Sequence, residues 1–255
     1  MNYLRVISPG FDTGARHMAW DEAILNHVNT NQSPPTLRLY YFNPPAVTLS
    51  SECHLDIINK TTCTQQQIDI IRRPTGGSAL FHNRKDLAYS FIAPIYLFEE
   101  QKPVKIMRNI CNQIASAFTT IGIPAYLNQK SNTNILIDGK KISGSASMIK
   151  TNAILVHGSI FHNIDTILIS SLINIPQQDL ENRMIGISTY TNNHAEIHNA
   201  IINALSYKLE IRINETATES EHHDMHRILQ DKFSTTSEWL TAGKKHKKYC
   251  GSSIE

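Results

Sequence analysis

The sequence of 255 residues has few of the features that mark metal, redox or membrane proteins. Its four cysteines, Cys53, Cys63, Cys111 and Cys250, include no CxxC pair and have no histidine cluster beside them, so neither a zinc site nor a redox motif is predicted. We expect free thiols in a reducing cytoplasm. No stretch approaches the roughly 20 apolar residues of a membrane span, and the N-terminal apolar stretch is too short for a signal peptide.

The chain also lacks an excess of charge of either sign. It has 24 Lys and Arg against 22 Asp and Glu, which gives a formal net charge of +2. Such a balance indicates neither nucleic-acid nor membrane partners, and we predict a cytoplasmic protein. The exception is a basic run at 244–248, so residues 244–255 are predicted to be a flexible, solvated tail after one domain spanning 1–243.

The apolar spacing predicts an α+β fold. The Asp138-Gly139 pair between two extended stretches is a strong hairpin signal, which indicates antiparallel neighbours. We therefore predict a mixed, largely antiparallel sheet flanked by helices. Strands are predicted at 37–42, 46–49, 68–73, 87–93, 135–137, 141–143, 153–161 and 209–213, and helices at 18–28, 104–120, 166–172, 194–208 and 220–232.

The first unusual segment is Arg72–His82, which joins a strand to a run of small residues. Small residues let backbone N–H groups approach an anion closely, and paired arginines supply charge-assisted donors. The segment is equally consistent with a plain turn, because no Walker-type Lys-Ser/Thr follows it.

The second segment is Asp138–Ala146, in which lysines follow the tight turn and small residues come next. The Lys141 ammonium could hold a carboxylate and then stabilise the charge that develops on an acyl-transfer oxygen. The alternative is an exposed turn lysine with no ligand.

Together the two segments resemble the lipoate-protein ligase A family and its relatives, the lipoyl and octanoyl transferases. Arg72–His82 is similar to the family motif Arg-Arg-x-x-Gly-Gly-Gly-Ala-Val-Phe/Tyr-His, and Lys141–Ala146 is similar to Lys-x-x-Gly-x-Ala. Further similarity extends over about residues 3 to 240. It includes Met18–Ala23, Leu37–Val47, His157-Gly158 and Lys232–Trp239.

The resemblance implies a biotin/lipoate-ligase-like catalytic domain over 1–243 and the activity of a lipoate-protein ligase. Such an enzyme activates lipoate or octanoate with ATP and Mg²⁺ to an acyl-AMP. It then passes the acyl group to a lysine in a lipoyl domain of a 2-oxoacid dehydrogenase complex or in the glycine-cleavage carrier protein. By this resemblance Lys141 is the catalytic residue. The residues expected to bind the substrate or acyl-adenylate are Arg72, Arg73, Thr75, Gly76, Gly77, Ser78, Ala79, Phe81, His82, Asn134, Ser143, Gly144, Ser145, Ala146, His157 and Gly158.

The chain departs from the family pattern at three positions. Ser78 replaces a third glycine, while Asn83 and Asn134 stand where carboxylates are common. Loss of two carboxylates weakens a Mg²⁺ site, because asparagine supplies an oxygen but no charge. No C-terminal accessory domain is predicted, so adenylation could require a separate accessory subunit.

Two alternatives remain open. The first is an octanoyl or lipoyl transferase that takes its acyl group from a carrier protein without ATP. Its relatives use a cysteine that precedes the lysine motif, but 126–134 contains none, so the acceptor would attack directly; Cys63 and Cys111 are the thiols to test. The second is a non-catalytic lipoyl-binding module, which would bind lipoate without forming AMP.

Overall fold

The computed structural model describes residues 2–131, 133–207, 209–234 and 238–242. Within these ranges the chain forms an eight-stranded sheet and a three-stranded sheet. The strands are β1 Tyr3–Asp12, β2 Thr36–Phe42, β3 Ala46–Leu49, β4 Asp69–Arg72, β5 Leu80–His82, β6 Leu87–Pro94, β7 Tyr126–Leu127, β8 Asn134–Ile137, β9 Lys140–Ile149, β10 Ala153–Ile160 and β11 Glu210–Ile213. The helices are α1 Gly14–Asn29, α2 Lys60–Gln65, α3 Pro103–Thr120, α4 Thr166–Leu172, α5 Gln177–Arg183, α6 His194–Ala204, α7 Glu219–Ile228 and α8 Glu238–Thr241.

The large sheet has the strand order β11-β1-β2-β6-β10-β9-β8-β7. Strand β1 runs parallel to β11 and β2, whereas the pairs from β2 to β7 are antiparallel. The parallel β1–β2 pair has α1 as its crossover, as parallel neighbours require. The small sheet has the order β4-β3-β5. The predicted α+β fold with a mixed, largely antiparallel sheet is confirmed.

Two apolar cores hold these layers together. The larger core lies between the large sheet and the helices α3 and α6, and it includes Phe91, Phe118 and Ile201. The second core lies beneath the small sheet, where Val47 and Phe81 pack against Leu172 of α4 and Leu180 of α5. Each sheet therefore packs against its own helices. A cavity lies between the two sheets.

The N-terminal strand β1 was not predicted. Ser8, Pro9 and Gly10 interrupt its apolar alternation, and the register with β2 shifts between Ile7 and Gly10. A register shift of this kind moves side chains to the other face of a strand, so the alternation that identifies a strand is lost. The predicted helix 194–208 is also too long, because α6 ends at Ala204.

A buried ion pair joins the C-terminal part of the chain to β1. Arg5 donates two hydrogen bonds to Glu221 of α7, at 2.8 and 2.6 Å. Burial alone would raise the pKa of Glu221, but the hydrogen bonds from Arg5 and Ser33 lower it to about 2. Farther on, Trp239 of α8 donates to the Arg72 carbonyl at 2.9 Å. The predicted tail, 244–255, lies outside the described residues.

The cysteines differ in state. Cys63 and Cys111 are buried free thiols, as expected. Cys53 is disulfide-bonded, so the expectation of a free thiol is wrong there. Cys250 lies outside the described residues. Within the described ranges, every helix is too short or too polar to cross a bilayer.

Candidate functional site

A cavity of about 350 Å³ lies between the two sheets. Strands β2, β9 and β10 form its wall on the large-sheet side, and β3, β5 and the loop 73–79 form the opposite wall. Its volume lies in the range of small-molecule sites. The lining residues are Met18, Tyr40, Phe42, Thr48, Arg73, Gly76, Gly77, Ser78, Ala79, Leu80, His82, Lys130, Ser131, Thr133, Asn134, Lys141, Gly144, Ser145, Ala146, His157, Gly158 and Ser159.

The two segments singled out in the sequence meet at this cavity. The predicted site residues that line it are Arg73, Gly76, Gly77, Ser78, Ala79, His82, Asn134, Lys141, Gly144, Ser145, Ala146, His157 and Gly158. Arg72, Thr75, Phe81 and Ser143 do not line it. The binding and catalytic roles of these residues stay predictions.

Two of the predicted residues outside the wall, Arg72 and Phe81, have structural contacts. Arg72 donates to the carbonyls of Ser50 and Cys53, at 2.6 and 2.7 Å, and holds the loop after β3. Phe81 packs in the second core. Strand alternation explains the difference, because the flanking Leu80 and His82 face the cavity instead.

Ser145 lines the cavity, but its hydroxyl is engaged away from it. The hydroxyl lies 2.6 Å from the Tyr89 hydroxyl and 3.3 Å from the Cys111 Sγ of α3. Burial raises the pKa of Cys111 to about 11, and this thiol does not line the cavity. Cys63 is buried in the second core. No described cysteine is therefore a cavity nucleophile.

Lys141 is the central cation of the site. Burial, together with the nearby Arg73 guanidinium, lowers the pKa of Lys141 to about 8. Among the described residues, no side chain accepts a hydrogen bond from its ammonium or forms an ion pair with it. A surface turn lysine would keep its ordinary pKa, so this position is a partly desolvated cation that faces a cavity.

Gly144 makes room for that ammonium. A Cβ atom at residue 144 would lie 2.8 Å from Lys141 Cε and 2.9 Å from Lys141 Nζ. The lysine side chain thus folds back over the strand at the one position without a side chain. The small residue of the Lys-x-x-Gly pattern therefore has a steric explanation.

Arg73 is the second buried cation of the site. It donates to Thr75 Oγ1 at 3.1 Å, to the Thr48 carbonyl at 3.1 Å and to the Gly76 carbonyl at 2.7 Å. Gly77 has φ of +99°, and a Cβ atom there would lie 2.9 Å from the Arg73 guanidinium. The glycine loop therefore wraps around the arginine, whereas the sequence had indicated only that its small residues would let backbone N–H groups approach an anion.

The charged side chains that line the cavity in the described part of the chain are all positive. Arg73, Lys130 and Lys141 line the cavity, and no carboxylate does among the described residues. Preorganised cations in a water-poor site stabilise a developing oxyanion or hold an anionic group. Met18, Tyr40, Phe42 and Leu80 give the lining an apolar part as well. The arrangement suits a ligand with an apolar chain and an acyl oxygen.

Two histidines, His82 and His157, line the cavity and are hydrogen-bonded to side chains that also contact Arg73. His82 is bonded through Nε2 to Thr48 Oγ1 at 2.9 Å and through Nδ1 to Ser159 Oγ at 2.8 Å. Burial lowers the pKa of His82 well below its ordinary value, which keeps the ring neutral. His157 lies 2.8 Å from Thr75 Oγ1 and 3.0 Å from Asp21 Oδ2.

Three polar residues at the site were not predicted: Thr48, which lines the cavity, and the buried pair Asp21 and Arg38, which lies behind the lining. Asp21 is fully buried and pairs with Arg38. Its signal was available, because it stands three residues after Met18 and four before Leu25 on the apolar face of α1. An acidic residue on an apolar helix face indicates a buried, paired carboxylate.

The two asparagines have different positions. Asn134 lines the cavity, whereas Asn83 does not. Asn83 donates to the buried Asp86 at 2.8 Å and accepts from the Lys85 amide at 2.7 Å. An aspartate at residue 83 would place two carboxylates in contact, so Asn83 has a structural explanation here. In the described part of the chain, no cluster of three His, Cys, Asp or Glu side chains is arranged to hold a metal ion.

Gly158→Ala should lower the free energy of unfolding by about 1–3 kcal/mol, the usual cost of overpacking. A Cβ atom at Gly158 would lie 2.5 Å from the Gly144 carbonyl oxygen and 2.7 Å from the Tyr89 hydroxyl, and backbone cannot move aside easily. Urea unfolding measures the change. Gly10→Ala is the control, because nothing lies within 4 Å of its Cβ position. Equal stability of the two variants would contradict the packing described for β9 and β10.

Sequence comparison finds relatives along most of the chain. Octanoyltransferase LipM of Halalkalibacterium halodurans is 27% identical over 94% of this chain and 99% of its own length. Octanoyltransferase LipM of Geobacillus kaustophilus is 29% identical over 71% of this chain and 73% of its own length. The prediction of an ATP-dependent lipoate-protein ligase is therefore wrong, since these relatives match the transferase alternative.

Solved structures share the fold. A lipoate-protein ligase A crystal structure with bound ATP has a TM-score of 0.85 at 21% identity and covers 95% of this chain and 99% of its own. A bipartite lipoate protein ligase from Thermoplasma acidophilum, solved in a study with its E2 lipoyl domain, has a TM-score of 0.83 at 21% identity, with 96% and 99% covered. At such identities the likeness concerns the fold alone. The family model of the lipoyl protein ligase A/B catalytic domain matches residues 13–208, and the chain belongs to this family.

Proposed function

We propose that this protein is an acyltransferase that moves an octanoyl group from a thioester donor, such as an acyl-carrier protein, to a lysine of a lipoyl domain without ATP. The observation that carries the proposal is the desolvated Lys141 ammonium, which has no partner among the described residues and lines a cavity whose wall is partly apolar. The octanoyltransferase relatives supply the acyl group by analogy.

The cavity accounts for the way in which an acyl donor would bind. The saturated chain would lie against Met18, Tyr40 and Phe42, where burial of each methylene contributes about 0.8 kcal/mol. The thioester carbonyl oxygen would then face Lys141. Because no carboxylate lines this part of the described structure, the charged side chains around the oxygen would all be cations.

The reaction would be a direct transfer. The neutral amine of the acceptor lysine attacks the thioester carbonyl carbon, and the carbonyl oxygen becomes an oxyanion that the Lys141 ammonium stabilises. The C–N bond forms, the C–S bond breaks, and the thiolate leaves with the electron pair of the C–S bond. The proton lost by the attacking nitrogen balances the proton that the thiolate takes up, for which the Lys141 ammonium is a suitable donor.

The acceptor would be a lipoyl domain of a 2-oxoacid dehydrogenase complex or the glycine-cleavage carrier protein. Support comes from the family and from the solved ligase that was studied with an E2 lipoyl domain. We treat residues 1–243 as the catalytic domain that performs the transfer.

The proposal is tested by offering two acyl sources to the purified protein with an apo lipoyl domain. One reaction contains octanoyl-acyl-carrier protein and no ATP, and the other contains octanoate, ATP and Mg²⁺. The mass of the lipoyl domain should increase by one octanoyl group in the first reaction only. Modification that needs free octanoate and ATP would contradict the proposal.

Cys111→Ser and Cys63→Ser should each keep octanoyl transfer within about twofold of the unmodified protein, because neither thiol reaches the cavity. The high pKa of Cys111 also leaves almost no thiolate at neutral pH, and the thiolate is the nucleophilic form. Initial rates of acceptor octanoylation measure the effect. A loss of more than tenfold in either variant, with the fold intact by circular dichroism, would point instead to a thioester intermediate on that cysteine.

A further inference from the structure

A line of buried hydrogen bonds connects α1 to the cavity. Arg73 Nε donates to Thr75 Oγ1 at 3.1 Å, Thr75 Oγ1 lies 2.8 Å from His157 Nε2, and His157 Nδ1 lies 3.0 Å from Asp21 Oδ2. Arg73, Thr75, His157 and Asp21 are all buried. Of these four, Asp21 and Thr75 do not line the cavity, so their effect on a ligand would be indirect.

Asp21 is the negative end of this line. Its other oxygen accepts from Arg38, with which it forms an ion pair, and from the Ser90 hydroxyl at 2.6 Å. Burial alone would raise the pKa of Asp21, but Arg38 and the hydrogen bonds from His157 and Ser90 lower it, which keeps the carboxylate ionised. An ionised carboxylate only accepts hydrogen bonds.

The acceptor at Asp21 fixes the direction of every later bond. A neutral His157 must place its hydrogen on Nδ1 to donate to Asp21, which leaves Nε2 as an acceptor. The Thr75 hydroxyl then donates its hydrogen to Nε2, and its oxygen lone pairs are free for Arg73 Nε. All donors along the line point from Arg73 toward Asp21.

The cavity end of the line is the Arg73 guanidinium, which lines the cavity together with Lys141. Arg73 also donates to the Gly76 carbonyl, so its position determines the path of the glycine loop. Arg73 is the charged side chain whose repulsion acts on Lys141. A change in the Arg73 position would therefore alter both the loop and the electrostatic environment of the Lys141 ammonium.

We infer that Asp21 is a positioning residue for acyl transfer, which acts through the His157 tautomer and Thr75 to hold Arg73 and the glycine loop in their catalytic arrangement. This inference rests on the proposed transferase function for its effect on rate. Its structural part, the control of the His157 tautomer by Asp21, does not depend on the substrate.

Asp21→Asn gives the sharpest test, because the amide has nearly the shape of the carboxylate. Its oxygen can still accept from Arg38, which turns the amide nitrogen toward His157 Nδ1. His157 Nδ1 must then accept a hydrogen bond from the amide nitrogen. The ring hydrogen therefore moves to Nε2 and points at Thr75 Oγ1. The Thr75 hydroxyl loses its acceptor, and its remaining partner, Arg73, is itself a donor. We expect kcat to fall about 10- to 100-fold, as is usual for residues that orient catalytic groups, with KM within about threefold.

Three further variants separate positioning from a general loss of structure. Thr75→Val breaks the line one step closer to Arg73 and should lower kcat by a similar factor while leaving the hydrogen on His157 Nδ1. The double variant Asp21→Asn/Thr75→Val should be no slower than the slower single variant, because both interrupt one line. Ser90→Ala removes a different hydrogen bond from Asp21 and should keep kcat within about twofold of the unmodified protein.

The readouts are kcat and KM for octanoyl transfer and the ¹⁵N chemical shifts of the His157 ring. The inference predicts Nδ1–H in the unmodified protein and in Thr75→Val, and Nε2–H in Asp21→Asn. The inference is overturned if Asp21→Asn leaves the His157 tautomer unchanged or if the ring is doubly protonated in the unmodified protein. It is also overturned if the fold-losses in kcat of the two single variants multiply in the double variant. If the unmodified protein transfers no octanoyl group, the proposed function fails, while the tautomer measurement still decides whether Asp21 controls His157.

Discussion

Replacing Lys141 with methionine should lower kcat for octanoyl transfer by about 10²- to 10³-fold, the usual loss when one preorganised oxyanion donor is removed. Methionine keeps much of the side-chain length but has no charge, so the fold and the apolar part of the cavity lining should be preserved. The neighbouring Lys140→Met is the matched control, because the Lys140 ammonium donates to the Glu181 carbonyl and does not line the cavity. Steady-state rates of acceptor octanoylation measure both variants. Equal rates for Lys141→Met and Lys140→Met would show that Lys141 has no role in catalysis.

The lowered pKa of Lys141 also predicts a particular pH profile. The acceptor amine, with an ordinary pKa of about 10.4, must be neutral to attack, so kcat/KM should rise with pH. The Lys141 ammonium must be protonated, and it loses its proton as the pH passes about 8. Above that pH the two effects cancel, so the rise should stop near pH 8. A rise that continues to about pH 10 would show that Lys141 titrates as an ordinary lysine or is not required.

Gly144→Ala should lower kcat about 10²-fold, because a displacement of about 1 Å in a catalytic group has that cost. The added Cβ atom would lie 2.8 Å from Lys141 Cε and would force the ammonium away from its position. Stability should change little, since the displaced atoms are the far end of a flexible side chain. Gly10→Ala, whose Cβ meets nothing within 4 Å, is the control for the loss of a glycine in a strand. Unchanged kcat in a folded Gly144→Ala protein would contradict the packing of Lys141 over residue 144.

The sequence predicted best those elements whose burial follows a simple period. Helix α3 has Ile106, Ile110, Ile114 and Phe118 on one face, and its predicted span agrees with the structure. Strand β1 was missed because Ser8, Pro9 and Gly10 interrupt the alternation, although the strand is paired on both sides. Short elements such as β7, Tyr126–Leu127, were also missed, since two residues cannot express a period.

The candidate site was predictable in its two loops but not in its supporting shell. Arg73 and Lys141 stand in unusual local patterns, and the structure brings both to one cavity. The place of Asp21 on the apolar face of α1 indicates a buried carboxylate, but only the tertiary fold brings His157 of β10 to it as a partner. Asn83 was read as a lost metal ligand, yet its side chain is hydrogen-bonded to Asp86, a contact that depends on the turn after β5.

The mistaken choice of a ligase has a chemical reason. A cation beside a glycine loop can hold the oxygens of an acyl-adenylate, but it can equally stabilise the oxyanion formed from a thioester. The pattern of Lys141 and the loop 73–79 is therefore compatible with either way of activating the acyl group. The octanoyltransferase relatives, one of which covers 94% of this chain, favour the transferase over the ligase.

The most direct test follows intact masses in a single turnover without ATP. The protein is mixed with one equivalent of octanoyl-acyl-carrier protein, first alone and then with an apo lipoyl domain. Direct transfer predicts that the octanoyl group stays on the carrier until the lipoyl domain is added, then appears on that domain and never on the enzyme. An octanoyl adduct on the enzyme before the acceptor is added, or no transfer until octanoate and ATP are supplied, would contradict it.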